Sequence, residues 1–113
     1  MSTEDIKGPG DNSISPAEIK MYEQEYKHGA DLFQRALTEY SKADTMFAKE
    51  EFKDVMDKAM QVLNETAREL KRKELLKQNE QIAKDYASFK KSPNDIVQQK
   101  LNDDLDSAKG KIS

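Results

Sequence analysis

Apolar residues recur along the chain at steps of three and four, the spacing that places them on one side of an α-helix. A first stripe runs Ile19, Tyr22, Tyr26, Ala30, Phe33, Leu37 and Tyr40. A second runs Phe52, Val55, Met56, Ala59, Leu63, Thr66, Ala67 and Leu70. A third takes in Leu75, Leu76, Asn79, Ile82, Ala83, Tyr86 and Phe89, and a last, shorter one Ile96, Val97, Leu101, Leu105 and Ala108. At about 100° per residue, carrying the second stripe rigidly into the third would turn the apolar face by roughly 160°. A turn near Lys71 to Glu74 removes that conflict, and a phase shift of about 90° between the first two stripes asks for another near Ser41 to Met46.

Capping chemistry sharpens these boundaries. In Ile14-Ser15-Pro16-Ala17-Glu18-Ile19, Ser15 caps the free amides, Pro16 suits the first helical position and Glu18 closes a capping box. Ile14 and Ile19 hold the positions of a hydrophobic staple. Ser92-Pro93-Asn94-Asp95-Ile96 repeats the grammar without the staple and predicts a helix starting at Pro93. Gly110 is suited to follow its end, with Lys109 and Lys111 near the negative pole. Helices are therefore expected at about 16–41, 46–70, 75–91 and 93–109. Residues 1–14, with Gly8-Pro9-Gly10, read as a flexible, disordered N-terminal tail, and residues 15–113 as a single helical domain. The expected fold is all-α: an antiparallel helical hairpin or three-helix bundle with a short fourth C-terminal helix.

Composition agrees with thin stripes on long helices. Hydrophobic residues make up 35% of the 113 and charged ones 36%, with a mean hydropathy of −0.98, which is poor material for a thick core. The absence of cysteine from the sequence removes disulfides and thiolate chemistry. No apolar run approaches the roughly 20 residues of a membrane span, and the N-terminal residues lack the apolar centre of a secretory signal. A cytoplasmic protein is expected, with signal-less export as the other route.

Candidate chemistry is sparse. Glu25-Tyr26-Lys27-His28 has the Glu-x-x-His spacing of di-iron bundles, but that chemistry needs a second motif and His28 is the only histidine. On the wheel His28 lies away from the stripe, so a surface histidine is the better account. Asp103-Asp104-Leu105-Asp106 lacks the glycine and closing glutamate of a calcium loop, and Asn64-Glu65-Thr66 is a sequon buried within a helix pattern. Acids stand four residues before bases in Glu23/Lys27, Asp31/Arg35, Glu69/Lys73 and Glu80/Lys84, the pattern of helix-surface pairs. No catalytic, cofactor-binding or metal-binding residue is assigned, and no small-molecule substrate is evident.

Partner binding is the function expected. Tyr22, Tyr26 and Tyr40 line one helix face, where a ring packs while its hydroxyl stays wet or paired. Met46, Met56 and Met60 offer adaptable apolar surface, although core filling is the favoured role of Met56; Met60 sits at the edge of its stripe. Residues 61 to 91 hold eight basic and five acidic groups, whereas residues 1 to 60 hold eight and thirteen. The candidate partner-binding residues are thus Tyr22, Tyr26, Tyr40, Met56, Met60, Lys71, Arg72 and Lys73. They suggest a non-enzymatic protein-interaction module, an adaptor, chaperone-like subunit or assembly component, with self-association and coiled-coil-like packing included. The alternative of a nucleic-acid partner on residues 68–91 is weakened by the overall charge of −3 and by the lack of an aromatic platform beside the bases.

In size and helical-hairpin character residues 16–109 resemble small bacterial secretion-system subunits and their chaperones. Ser92-Pro93-Asn94-Asp95 resembles the proline-containing turn of secretion-needle subunits. Those continue into a long hydrophobic helix, whereas this chain continues into a short acidic one. The resemblance implies a helical hairpin that works inside a larger assembly.

Overall fold

The computed structural model describes residues 14–112. They form α1 (Pro16–Lys42), α2 (Met46–Leu70), α3 (Lys73–Lys91) and α4 (Asp95–Gly110). The expected tail falls almost wholly on residues 1–13, outside the described residues. At the start of α1 the Glu18 amide donates to Ser15 Oγ at 3.1 Å and the Ser15 amide donates to Glu18 Oε1 at 3.0 Å. Both arms of the capping box are therefore made. Thr45 caps α2 by accepting from the Ala48 amide at 3.1 Å.

The α2–α3 corner turns on Lys71, which sits in the left-handed region at φ 54°, ψ 33° and donates its amide to the Ala67 carbonyl at 3.1 Å. Glycine is the usual residue at such a position. Its absence explains why only the phase of the stripes, and no breaker residue, marked this corner.

The start of α4 differs from the expectation. Ser92 ends α3, and it is Asn94 that caps α4, accepting from the Val97 amide at 2.9 Å. Pro93 stays in the connection. Ile96 was expected on the apolar face but is 81% exposed. The wheel gives the reason: Ile96 lies about 140° around the helix from Leu101, whereas Val97 lies within about 40° of it.

Tyr26 meets Asn79, Phe33 meets Tyr86 and Tyr40 meets Phe89, so α1 and α3 run in the same direction. Helices α2 and α4 run against them, and each helix packs on its neighbours, α4 closing back on α1. The result is an up-down-up-down four-helix bundle. The all-α reading holds, and α4 is a full member of the core, since Leu101, Leu105 and Ala108 are wholly buried. Ile112 is buried as well. It stands four residues past Ala108 and so prolongs the same stripe beyond the glycine.

Helices α1 and α2 pack tightly at Gly29. A Cβ added there would lie 3.1 Å from Val62 Cγ1 and 3.4 Å from Leu63 Cδ2. Polar groups inside the bundle are paired, as burial demands. Tyr26 Oη donates to Asn79 Oδ1 at 2.9 Å, and Asn79 Nδ2 donates to Asn64 Oδ1 at 2.6 Å. One relay thus ties three helices together.

Candidate interaction surfaces

The bundle separates the expected partner-binding residues into interior and surface. Tyr26 and Met56 are fully buried. Tyr26 is thereby corrected from a surface tyrosine to a core one: its hydroxyl found a partner in Asn79 on α3, which removed the need for water. Met56 fills the core, the role favoured for it. Met60 is 8% exposed and borders a shallow depression with Asn64, Ala83 and Tyr86. Neither it nor Met56 offers a partner much area in this fold.

Tyr22 and Tyr40 remain partly accessible. Partial burial and the carboxylates of Glu69, Glu18 and Glu25 push the Tyr22 phenol up from its ordinary pKa. The Tyr40 ring stands edge-on to Phe89 with centroids 5.4 Å apart, and Lys49 Nζ lies 4.6 Å from its centre. At the basic corner Lys71 and Lys73 are exposed. Arg72 is committed elsewhere: its guanidinium pairs with Glu23 on α1 and donates to the Lys111 carbonyl at 3.5 Å. The corner thus holds two accessible cations and one that locks α3 to α1.

That pairing also revises the surface ladders expected within helices. Glu23 takes Arg72 instead of Lys27, and Asp31 takes Lys109 at 2.7 Å instead of Arg35. Glu69 and Lys73 fall on different helices. Neighbours brought by tertiary packing outcompete those one turn away.

An ionic cluster that the sequence did not single out lies between α3 and α4. Asp85 is only 6% exposed. Lys100 Nζ donates to its Oδ1 at 3.2 Å, Gln81 donates to the same oxygen at 3.0 Å, and Lys100 reaches Asp104 Oδ2 at 3.5 Å. Burial, then the hydrogen bond and charge of Asp85, push Asp104 up to about 6, against the pull of Lys100. Burial alone would raise Asp85 too, but hydrogen bonds from Asp104, Gln81 and Lys100 outweigh it and hold Asp85 below its ordinary value. Of the two, Asp104 is therefore the one that takes up a proton as pH falls through about 6, while Asp85 stays ionised.

Split carboxyl pairs serve acid–base catalysis in enclosed sites. Here Lys100 spans both groups along an open groove, and the arrangement works as a clasp between two helices. Its pH dependence has a definite sign. Between about pH 4 and pH 6 folded Asp104 holds a proton that the unfolded chain has released, so stability falls as pH rises through that window. Asp85 works the other way, and its contribution is lost as pH drops below its unfolded value near 4. Urea unfolding is expected to show a gain of about 1 kcal/mol on moving from pH 7.5 to pH 5. Asp104→Asn should flatten that gain. An unchanged gain in the variant assigns the dependence to other groups.

The largest accessible apolar side chains lie at one end. Met46 and Phe47, directly after the α2 cap, are 73% and 74% exposed. Ile96 opens α4 at the same end, where the connections 43–45 and 92–94 both lie. Met46 was among the methionines expected to give adaptable surface; Phe47 and Ile96 were not anticipated as surface residues. A sequence signal for Phe47 does exist. It lies about 140° from Phe52 on the α2 wheel, out of phase with the buried stripe.

His28 is exposed, as its wheel position predicts. Among the described residues no three His, Cys, Asp or Glu side chains are grouped to hold a metal ion, and no helix is long and apolar enough to cross a membrane. Comparison with protein-family models, with curated proteins and with solved structures finds no match to this chain.

Proposed function

We propose that this bundle is a non-enzymatic protein-interaction module, a small adaptor, chaperone-like subunit or assembly component that acts in the cytoplasm. The observation that carries this reading is the pair Met46 and Phe47. Two adjacent large apolar side chains stand nearly three-quarters exposed while the bundle beneath them is closed. Scattered single apolar residues on a surface are ordinary. An exposed Phe beside an exposed Met at a helix start forms an apolar tip that gains free energy when a partner covers it, and Ile96 opens the diagonal helix α4 at the same end. Methionine adapts to the shape of what it meets, and an aromatic anchor supplies much of the affinity in such contacts. Self-association through the tip is one form of this function and a heteromeric complex is the other.

The test is native capture of the tagged full chain from its source cell, beside a Met46→Ser/Phe47→Ser variant. Both substitutions replace exposed side chains, so the thermal transition should stay within a few degrees. The wild type should retain a defined partner, or a second copy by light scattering, which the variant loses. A strict monomer that retains nothing, or a partner set indifferent to the variant, removes the reading.

A further inference from the structure

A second apolar surface lies on the far side of the α1–α2 hairpin, away from α3 and α4. It follows the seam where Gly29 lets Val62 settle against α1. Val62 is 37% and Met21 45% exposed, and Leu32 is partly exposed. On α1, Met21 and Leu32 fall within about 20° of each other and some 130° or more from the core direction of Tyr26, Ala30, Phe33 and Leu37. They do not belong to the stripe that builds the bundle, and Leu32 is not among the residues packed on the core.

Charge around this seam is one-sided. On α1 the same side carries Glu18, Glu25 and Glu39, and on α2 it carries Glu51, Glu65 and Glu69, all exposed. Against these six stand three cations, Arg35, Lys42 and Lys58. The face therefore carries by itself a net charge as negative as the −3 of the whole chain. Among the described residues, Glu25, Glu39, Glu51 and Glu69 take part in no ion pair within the bundle. Elsewhere on the surface Asp31, Glu50, Asp57 and Asp106 pair with lysines, while Asp44, Asp54, Glu74, Glu80, Asp95 and Asp103 pair with none among the described residues. It is therefore the one-sided charge of the seam and not the lack of pairing that sets it apart.

We propose that the outer seam of the α1–α2 hairpin, the apolar ridge of Met21, Leu32 and Val62 within its rim of carboxylates, docks an amphipathic helix of a partner protein whose apolar stripe is flanked by lysine or arginine. The inference rests on the interaction reading above and names a second surface and the chemistry of its partner. A helix fits because Met21, Leu32 and Val62 are spread along two antiparallel helices, and an apolar stripe laid along such a pair is a common recognition mode. The rim selects the sign of the partner: cationic flanks meet six carboxylates, whereas an acidic helix meets like charge. A nucleic-acid or anionic lipid partner is repelled at this face for the same reason.

A synthetic peptide with a leucine stripe flanked by lysines, and its counterpart flanked by glutamates, probe the seam on the full chain. The lysine peptide should bind about tenfold or more tightly than the glutamate one at low salt, and the preference should shrink as salt screens it. Amide shifts should concentrate at Gly29, Leu32 and Val62. Glu25→Lys/Glu69→Lys, both at exposed positions, should weaken the lysine peptide by about tenfold with an unchanged urea midpoint. Val62→Lys gives an independent disruption of the ridge. Equal binding of the two peptides, no binding of either, or shifts confined to Met46 and Phe47 overturn the proposal. So does a dimer broken by Val62→Lys, because a second copy is then the occupant. A cellular partner lost with Met46→Ser/Phe47→Ser but kept by the seam variants defeats the seam and leaves the interaction reading standing.

Discussion

Phe33→Ala should cost about 3–5 kcal/mol of folding stability, the largest loss expected from a single substitution in this protein. Phe33 is fully buried on α1, and its ring meets Tyr86 of α3 edge-on, with centroids 5.0 Å apart and planes at 77°. That geometry places the positive edge of one ring against the negative face of the other, adding about 1 kcal/mol to the burial. It also joins the diagonal helices α1 and α3, whose backbones make no close approach of their own. Removing the ring opens a cavity that the surrounding helices close only in part. Domains of this size have roughly 5–15 kcal/mol in total, so the variant should lose a large share of its margin. Its thermal midpoint should fall by about 15–30 °C. Phe33→Leu, which keeps much of the volume, should cost less than half as much. Urea unfolding of the three proteins measures this directly, and a loss below about 1 kcal/mol for alanine would mean that the diagonal contact is dispensable.

The second large effect belongs to α4. Leu105→Ala is expected to remove about 2–5 kcal/mol, because Leu105 is fully buried among helices that would not close over the gap. The result discriminates between two architectures. In a hairpin or three-helix bundle with an accessory fourth helix, α4 would peel away and the remaining transition would keep its midpoint. In the bundle described here α4 packs on both α1 and α3, and Gln34 donates to Asp106 at 2.8 Å across the first of those contacts. Circular dichroism and the Tyr fluorescence should then shift together to a lower midpoint. Two separate transitions, with the upper one unmoved, would falsify the integral role given to α4.

Much of the fold was legible because local rules and packing point the same way. Ser15 and Glu18 start α1 by chemistry that needs only four consecutive residues. Phe33, Leu63, Ile82 and Phe89 lie in phase on their helices, and burial follows from phase. The corner at Lys71 was visible only as a conflict of phase, since a lysine took the left-handed position that glycine usually marks. The candidate surface was harder to read. Phe47 and Ile96 are apolar by type, and only their wheel positions betray that the core does not take them. Asp85 looked like any surface acid until Lys100 and Asp104, from a helix beyond the next turn, came to meet it.

By itself the sequence determined that the chain is helical, where each helix begins to within a few residues, and which side of each is apolar. These properties come from neighbours one to four residues apart, where spacing along the chain is spacing in the molecule. The tertiary structure decided the rest: that α4 completes the bundle, that Tyr26 is sealed by Asn79, that Glu23 pairs with Arg72 and Asp31 with Lys109. It also decided that Met46, Phe47 and the ridge of Met21, Leu32 and Val62 are left facing outward. Each of these depends on residues far apart in the chain meeting across helix interfaces. Which apolar residue remains uncovered is a property of the whole packing, because it is settled only when every other side chain has found its place.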